Sequence, residues 1–368
     1  MQAPSEPSME IEDVIGSQCR RDWEHTDAAA TGTVRVAAIG LGWFTRGRAL
    51  PALADSDRCE PTVLVSGSAE KAERVAAEFE AVERTLTYEE YAEGVGTDAY
   101  DAVYVCTPNA FHLDHAAVAA AHGKAVLCEK PIERDSERAE QLVAACDDAG
   151  VELMIAYRMH TEPTVRRAKE LIDAGYVGDP VAVRGDMSQR LLKRVNPDPD
   201  QWRLNAELAG GGALFDIGLY PLNTARFLLD ADPVAVTGTT ESTHDAFDAV
   251  EETVACSLRF PGGVTAACFA SHNARQSSSI TVTGTEGQVR IEPAFFQDQD
   301  RKLQLSRGDS RAEVAVERVD QMREEFDYFA DRLRSGADIY PDGRHGVVDV
   351  AVMEAVYEAA DRDTWVEV

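Results

Sequence analysis

Residues 34–44 read VRVAAIGLGWF, and this stretch decides the fold of the first half of the chain. Its first six residues form a largely apolar run suited to a buried strand, Gly40 and Gly42 indicate a tight turn, and the following residues predict a helix. This order is typical of dinucleotide-binding domains, because the glycines let the backbone approach a pyrophosphate at the helix N-terminus. Thr45 stands where the common motif has its third glycine, so the turn by itself is a weak indication.

A second strand and helix are predicted in residues 61–79, PTVLVSGSAEKAERVAAEF. Enzymes specific for NAD place Asp or Glu at this strand end, about 20 residues beyond the turn, to bind the ribose 2′-hydroxyl. Here the position holds Ser66, Gly67 and Ser68, with Lys71 one turn into the helix. Hydroxyls, a backbone amide and a cation suit a 2′-phosphate, which a carboxylate would repel. We therefore predict NADP in preference to NAD; the alternative is a Ser-Gly turn beside a solvated Lys.

Two further strand and helix units are predicted in residues 101–131, and a final strand begins near residue 151. Alternating strands and helices favour a parallel, doubly wound sheet, so we predict an α/β domain of the Rossmann type over residues 33–157. Such sheets bind ligands at the carboxyl ends of their strands. This chain places Thr107-Pro108-Asn109 and Glu129-Lys130-Pro131 at those ends.

The composition is strongly acidic, since 65 Asp and Glu residues oppose 36 Lys and Arg residues for a formal net charge of -29, and six of the basic residues are Lys. Such a surface repels itself in dilute buffer, whereas molar salt shortens the Debye length to about 3 Å and screens the repulsion. The pattern resembles cytoplasmic proteins of extreme halophiles such as halophilic archaea; an ordinary acidic mesophilic enzyme is the alternative. A field of this sign opposes a polyanion and argues against nucleic acid as a partner.

No apolar run reaches the roughly 18 residues needed to span a bilayer. Because the N-terminal region is polar and acidic and lacks a basic-then-apolar leader, we expect a cytoplasmic protein without a membrane partner. The seven Cys residues are odd in number and include no C-x-x-C pair, so neither a disulfide framework nor a zinc site is indicated, and we expect no metal. Residues 1–32 are expected to form a flexible acidic arm, or an arm that reaches across a subunit interface.

Four segments in fixed order carry a family resemblance: AAIGLGWF (37–44), VCTPNAFH (105–112), CEKP (128–131) and QWRLNAELAGGGALFDIGLYPLN (201–223). Together they resemble the glucose-fructose oxidoreductase and inositol dehydrogenase (Gfo/Idh/MocA) family, closest to its branch of glucose-fructose oxidoreductases, pentose dehydrogenases and dihydrodiol dehydrogenases. The resemblance covers residues 33 to about 360 and implies a nicotinamide-dependent oxidoreductase acting on a sugar or polyol.

The resemblance also implies a C-terminal α+β domain, residues 158–368, with a large open, mostly antiparallel sheet. The residues agree independently, because five strand-like runs occur between residues 180 and 291, with Pro261-Gly262-Gly263 as a hairpin turn. Helices are predicted at 163–174, 321–334 and 347–360. One face of this sheet packs against another subunit in relatives, so we expect a homo-oligomer, either a dimer or a tetramer.

Asp216 and Tyr220 lie four positions apart in an otherwise apolar run, so a helix would present both on one face. The preceding Gly210-Gly211-Gly212 would let the start of that helix approach a nicotinamide ring closely. By resemblance, Lys130 reaches the same place from the Rossmann domain. The alternative is that Asp216 is a structural cap and Tyr220 an ordinary half-buried residue.

Oxidation of a sugar at C1 requires an acceptor for the hydroxyl proton, and Tyr220 is the predicted acceptor. A free phenol ionises near pH 10, but a cation within about 4 to 6 Å favours the phenolate, and Lys130 would supply that charge. Asp216 would orient the substrate hydroxyl or Lys130, and all three would contact the substrate. Inositol dehydrogenases of the family carry His where this chain has Tyr220.

Further residues are predicted to contact the cofactor, either from their place after a strand or by resemblance. With those already named, they are Gly40, Gly42, Trp43, Phe44, Ser66, Gly67, Ser68, Lys71, Thr107, Pro108, Asn109, His112, Glu129, Lys130, Arg158, Trp202 and Arg203.

The resemblance thus predicts an NADP-dependent aldose 1-dehydrogenase of pentose catabolism that converts D-xylose to its lactone. Three alternatives remain open: a glucose dehydrogenase or glucose-fructose oxidoreductase, an oxidoreductase of keto-sugars or dihydrodiols, and a non-catalytic NADP sensor. Sensors of this fold tend to lose the lysine or the proton acceptor, and Lys130 and Tyr220 are both present.

Overall fold

The computed structural model describes residues 21–25 and 32–368 of the chain. Its first sheet has six parallel strands in the order β3-β2-β1-β4-β5-β6, which confirms the predicted doubly wound sheet. The strands are β1 (Val34–Ile39), β2 (Cys59–Val65), β3 (Arg84–Leu86), β4 (Ala102–Val105), β5 (Ala125–Glu129) and β6 (Leu153–Ala156).

Helices cover both faces of this sheet, which is why its strands are apolar almost throughout. Along β1, Val36 and Ala38 pack into one core cluster, while Ala37 and Ile39 pack into the other. A π-helical turn, Thr45–Ala49, follows the glycine turn after β1. The helices are α1 (Leu50–Ala54), α2 (Ala69–Ala76), α3 (Tyr88–Ala92), α4 (His112–Ala121) and α5 (Ser136–Ala149).

The second sheet has nine strands in the order β14-β13-β12-β11-β7-β10-β9-β8-β15. Neighbouring strands are antiparallel except for the central pair β7 and β10, which confirms the mostly antiparallel sheet. Its strands are β7 (Pro180–Arg190), β8 (Ala235–Glu241), β9 (Thr253–Arg259), β10 (Thr265–Ser271), β11 (Asn273–Gly284), β12 (Gly287–Ile291), β13 (Lys302–Arg307), β14 (Ser310–Ala315) and β15 (Val366–Glu367).

Two long C-terminal helices pack against the first half of the chain, and the last of them also packs against the second sheet. The helices of this half are α6 (Pro163–Asp173), α7 (Ala206–Ala209), α8 (Leu219–Leu229), α9 (Gln321–Ser335) and α10 (Gly343–Arg362). Helix α10 packs against both α5 and β8. Helix α9 returns to the first sheet, where Phe326 and Phe329 share a core cluster with Val34 and Val36. A segment predicted for the second domain thus contributes to the core of the first, and the domain boundary near residue 157 stays a prediction.

Most of the predicted arm, residues 1–20 and 26–31, lies outside the described residues. Residues 21–25 pack against α9, with Trp23 4% exposed and edge-on to Tyr328. The guanidinium of Arg21 is 2.7 Å from a carboxylate oxygen of Glu324. Over these five residues the arm is held by an aromatic contact and an ion pair, so the expectation of flexibility concerns the remainder.

Among the described residues, no helix is long and apolar enough to cross a membrane.

Candidate active site between the two sheets

A cavity of about 370 Å³ lies where the carboxyl ends of β1, β4 and β5 face the second sheet. Twelve of the predicted site residues border it: Trp43, Phe44, Thr107, Asn109, His112, Glu129, Lys130, Arg158, Trp202, Arg203, Asp216 and Tyr220. Seven lie outside its lining: Gly40, Gly42, Ser66, Gly67, Ser68, Lys71 and Pro108.

The turn after β1 fits a dinucleotide. Gly40 has φ +90°, and a Cβ there would lie 2.4 Å from the carbonyl oxygen of Cys106, so the turn requires glycine. A Cβ on Gly42 would meet no atom within 4 Å, which leaves its backbone open to a phosphate. Thr45 replaces the third glycine, and its hydroxyl donates to the carbonyl oxygen of Gly40 at 2.6 Å. Thr45, which departs from the common motif, therefore stabilises the turn by this hydrogen bond.

The loop after β2 offers a cation beside a helix N-terminus. The Ser68 hydroxyl caps α2 by accepting from the backbone N–H of Lys71, and the Ser66 hydroxyl accepts from the N–H of Ser68. Both hydroxyls thus have structural roles, as the Ser-Gly turn alternative expected. The Lys71 ammonium pairs with no carboxylate in residues 21–25 or 32–368. A free ammonium near a helix N-terminus suits the 2′-phosphate of NADP.

Lys130 reaches the cavity from the end of β5. Its Nζ donates to the backbone carbonyl of Asp216 at 2.7 Å and lies 3.8 Å from the Asp216 carboxylate. The same nitrogen is 4.9 Å from the centre of the Tyr220 ring. The preceding Glu129 is fixed by the Tyr104 hydroxyl, which donates to its carboxylate at 2.7 Å. Lys130, from the end of the first sheet, therefore meets Asp216 and Tyr220 from the C-terminal half of the chain, as the resemblance implies.

Arg158, rather than Lys130, contacts the Tyr220 oxygen directly. Arg158 Nε donates to the Tyr220 hydroxyl at 3.0 Å, and the guanidinium carbon lies 4.6 Å from the ring centre. A second guanidinium nitrogen donates to Gln321 at the start of α9, which fixes the orientation of the group. The sequence analysis predicts that Lys130 is the cation beside the phenol and that Arg158 contacts the cofactor. In the structure Arg158 touches the phenol oxygen, while Lys130 lies over the ring and binds Asp216.

Three basic side chains surround the Asp216 carboxylate. His272 Nε2 lies 3.1 Å from Oδ2, Arg203 Nε lies 3.5 Å from the same oxygen, and Lys130 lies near Oδ1. Burial would raise the pKa of Asp216, but Arg203, the hydrogen bond from His272 and Lys130 outweigh it and hold that pKa well below its usual range. Asp216 is therefore ionised at neutral pH, and its lowered pKa makes it a weak base.

His272 is absent from the sequence prediction. It follows β10, its side chain is fully buried, and its Nδ1 has no hydrogen-bond partner among the described residues. No local motif marks it, since its partner Asp216 is 56 residues away in the chain.

The three consecutive glycines before Asp216 are explained by packing within the protein. A Cβ on Gly211 would lie 2.1 Å from the Tyr357 hydroxyl, and one on Gly212 would lie 2.1 Å from the carbonyl oxygen of Glu251. The Glu251 carboxylate also accepts from the backbone N–H groups of Gly212 and Leu214. Packing within the protein thus requires these glycines, and their close approach to a nicotinamide ring stays a prediction, since Gly211 borders the cavity.

The loops after β4 and β5 are tied together beneath the cavity. The His112 ring lies between the carbonyl oxygens of Pro131 (3.1 Å) and Thr107 (3.1 Å), and burial lowers its pKa. The Asn109 amide donates to the backbone oxygen of Ala209 at 2.8 Å. These two side chains border the cavity and also fix the loops that line it.

Trp43 and Trp202 both border the cavity. Trp43 is 47% exposed and edge-on to Phe44, whereas Trp202 is covered by the Arg203 guanidinium at 4.5 Å. Within residues 21–25 and 32–368, no three His, Cys, Asp or Glu side chains are grouped to hold a metal ion.

Two family models match successive parts of the chain. Residues 34–157 match the model of the oxidoreductase family with an NAD-binding Rossmann fold (GFO_IDH_MocA). Residues 165–290 match the model of the GFO/IDH/MocA C-terminal domain.

Two curated relatives and one solved structure are similar over nearly the whole chain. A D-xylose 1-dehydrogenase [NADP(+)] from Haloarcula marismortui is 53% identical over 97% of this chain and 99% of its own. A D-xylose 1-dehydrogenase (NADP(+)) from Haloferax volcanii is 31% identical over 86% of this chain and 94% of its own. The crystal structure of an aldose-aldose oxidoreductase from Caulobacter crescentus superposes with a TM-score of 0.86, at 32% identity over 92% of this chain and all of that one.

Proposed function

The chain belongs to the Gfo/Idh/MocA family of oxidoreductases, and we propose that it is an NADP-dependent D-xylose 1-dehydrogenase of a halophile's cytoplasm. The reaction converts the cyclic aldose and NADP⁺ to the lactone, NADPH and a proton. One observation carries this proposal: Tyr220, Lys130 and Asp216 border the same cavity between the two sheets. The 53% identity to the Haloarcula enzyme supports D-xylose as the substrate.

The residues that follow β1 and β2 fit the cofactor. The open backbone at Gly42 and the helix N-terminus beyond it would hold the pyrophosphate, and Ser68 with Lys71 would hold the 2′-phosphate. Bound NADP⁺ supplies the acceptor for the hydride that leaves C1 of the sugar.

Tyr220 accepts the proton of the C1 hydroxyl. For this it must be a phenolate, and the N–H of Arg158 at 3.0 Å stabilises the negative oxygen by a charge-assisted hydrogen bond. The second cation, Lys130, lies 4.9 Å from the ring centre and adds to the positive potential. After transfer the phenol carries the proton and releases it to water through the open cavity mouth.

Asp216 holds Lys130 in place by two contacts, one from its backbone oxygen and one from its carboxylate. Because Arg203 and His272 keep this carboxylate charged, the Lys130 ammonium stays paired and donates its remaining N–H bonds to the substrate oxygen. Asp216 is therefore a positioning residue in this mechanism.

A panel of sugars and cofactors tests the proposal. The purified protein in molar salt should form NADPH with D-xylose faster than with hexoses or trans-diols, and should show much lower kcat/KM with NAD⁺ than with NADP⁺. Failure to reduce NADP⁺ with any aldose would overturn the assignment.

A second candidate follows from the aldose-aldose oxidoreductase structure. An enzyme of that type passes hydride between two sugars and leaves no net NADPH. It is distinguished by adding D-xylose with a second aldose and following both sugars by chromatography: net NADPH formation supports the dehydrogenase, whereas alditol formation without free NADPH supports the shuttle.

We further infer a homo-oligomer built on the outer face of the second sheet. Phe269 on the central strand β10 is 39% exposed, where a lone sheet would keep a polar residue. A Phe269→Asp variant should therefore sediment as a smaller species than the wild type in molar salt. A monomeric wild type would contradict the inference.

A further inference from the structure

Three glutamine side chains converge on the cavity from the second sheet. Gln189 comes from the end of β7, Gln276 from β11 and Gln297 from the segment after β12, and all three border the cavity. All three are half-buried, and within residues 21–25 and 32–368 none of their side-chain amides forms a hydrogen bond with the protein. The Nε2 atom of Gln297 is fully covered and still lacks a partner.

The register of the sheet brings two of them to the same place. Strands β7 and β11 pair Met187 with Ser278, and both of these residues are buried. Gln189 and Gln276 each lie two residues beyond this pair on their own strand. Because side chains alternate along a strand, both glutamines lie on the same face of the sheet as Met187 and Ser278.

The third glutamine stands on a segment that buried side chains hold rigidly. The Ser278 hydroxyl accepts from the backbone N–H groups of Ala294 (3.0 Å) and Phe295 (3.2 Å). The Arg301 guanidinium, 4% exposed, donates to the carbonyl oxygens of Ala294 (2.7 Å) and Phe296 (2.9 Å).

The same segment lies beside the predicted proton acceptor, since the Phe295 ring is 5.8 Å from the ring of Tyr220. Gln297, two residues further on, therefore has a fixed position relative to the reacting end of the cavity, as a specificity residue requires.

We propose that Gln189, Gln276 and Gln297, the glutamine wall, bind the hydroxyl groups of the sugar that are remote from C1. A primary amide offers two donors and one acceptor without charge, which matches a row of neutral hydroxyls. The inference rests on the proposed sugar dehydrogenase function and names the part of the site that selects a polyhydroxylated ring.

When a sugar lacks one of these hydroxyls, an amide of the glutamine wall stays buried without a hydrogen-bond partner. The glutamine wall would therefore select sugars that carry the hydroxyl. A site built to hydrogen-bond a hydroxyl rejects the analogue that lacks it more strongly than an apolar site rejects an extra one. The buried Nε2 of Gln297 has no hydrogen-bond partner in the protein and would gain one when the sugar binds. Gln297 should therefore contribute most to the binding of the sugar.

Single Gln→Leu substitutions at the three positions test the wall, with Gln304→Leu as the matched control. Gln304 is on β13 of the same sheet, donates to Glu313 and does not border the cavity. Two quantities are measured for each variant: KM and kcat for D-xylose and its C2, C3 and C4 deoxy analogues, and calorimetric affinity of D-xylose for the enzyme saturated with NADPH.

Loss of one such hydrogen bond is expected to raise KM for D-xylose, and to weaken sugar binding, by about 10-fold. The expected change in kcat is smaller, because remote contacts act mainly on binding. Each variant should also discriminate less between D-xylose and the analogue lacking the hydroxyl that its glutamine binds. Affinity for NADPH and the behaviour of Gln304→Leu should stay at wild-type values.

Unchanged sugar binding and unchanged analogue discrimination in all three wall variants would overturn the glutamine wall while leaving the dehydrogenase assignment intact. If the wild type oxidised no aldose, the proposed function would be wrong, and calorimetry would still decide the wall. Polyol binding that Gln297→Leu abolishes would support it, and absence of polyol binding to the wild type would refute it.

Discussion

Replacing Arg158 by Met removes the cation that donates to the Tyr220 oxygen. The hydrogen bond from Arg158 Nε is 3.0 Å long, and Arg158 is 7% exposed, so solvent screens it little. A hydrogen bond to a charged group contributes about 1.5 to 3 kcal/mol. If the phenolate forms before proton transfer, kcat for D-xylose should fall by about 10- to 150-fold in Arg158→Met, with KM for NADP⁺ changed little.

The assay is steady-state NADPH formation in molar salt, together with the affinity for NADPH and the urea unfolding midpoint. Arg307→Met is the control, because its guanidinium also lies over a tyrosine ring, that of Tyr176 at 5.8 Å, but does not border the cavity. A kcat within about twofold of wild type in folded Arg158→Met would refute the role of Arg158 at the phenol. A loss confined to KM for NADP⁺ would instead support the cofactor contact that the family resemblance implies.

Three further predictions concern the cofactor, the fixed carboxylate and salt. Lys71→Glu should lower kcat/KM for NADP⁺ at least about 10-fold and leave kcat/KM for NAD⁺ unchanged. The control Lys302→Glu, on β13 of the second sheet, should not alter the preference for NADP⁺ over NAD⁺. Equal effects of Lys71→Glu on both cofactors would contradict its role at the 2′-phosphate. Because the pKa of Asp216 is lowered on folding, its charge stabilises the protein above the ordinary Asp pKa of about 3.9, and this contribution is lost as pH falls below it. Asp216→Asn should therefore unfold at lower urea than wild type at pH 7, and the difference should shrink in acid; a pH-independent difference would contradict the linkage. With a net charge of -29, Tm should rise between about 0.1 and 1 M salt as the Debye length falls from about 10 to 3 Å, and a Tm independent of salt would contradict self-repulsion.

The features that local pattern controls were predictable. The alternating strands and helices gave the parallel sheet, and the four-residue spacing with the family resemblance brought Asp216, Tyr220 and Lys130 to one cavity. The edge hairpin β13–β14 is missing from the prediction, although Leu303 and Leu305 alternate with polar residues as a strand requires.

Features that depend on distant parts of the chain were not predictable. His272, which follows β10, contacts Asp216 across 56 residues of sequence, and Arg158 contacts Tyr220 across 62 residues. The glycines before Asp216 are determined by Tyr357 and Glu251, which no local pattern connects to them. Sequence spacing reveals neighbours on one helix, whereas these contacts form only when both sheets are in place.

The central claim is that the Tyr220 hydroxyl accepts the C1 proton, and Tyr220→Phe tests it most directly because the substitution keeps the ring and removes the oxygen. General-base catalysis contributes about 10²- to 10⁴-fold, so kcat/KM for D-xylose should fall by that factor while NADPH affinity and the unfolding midpoint stay at wild-type values. A folded Tyr220→Phe enzyme that keeps most of its kcat/KM would contradict the account.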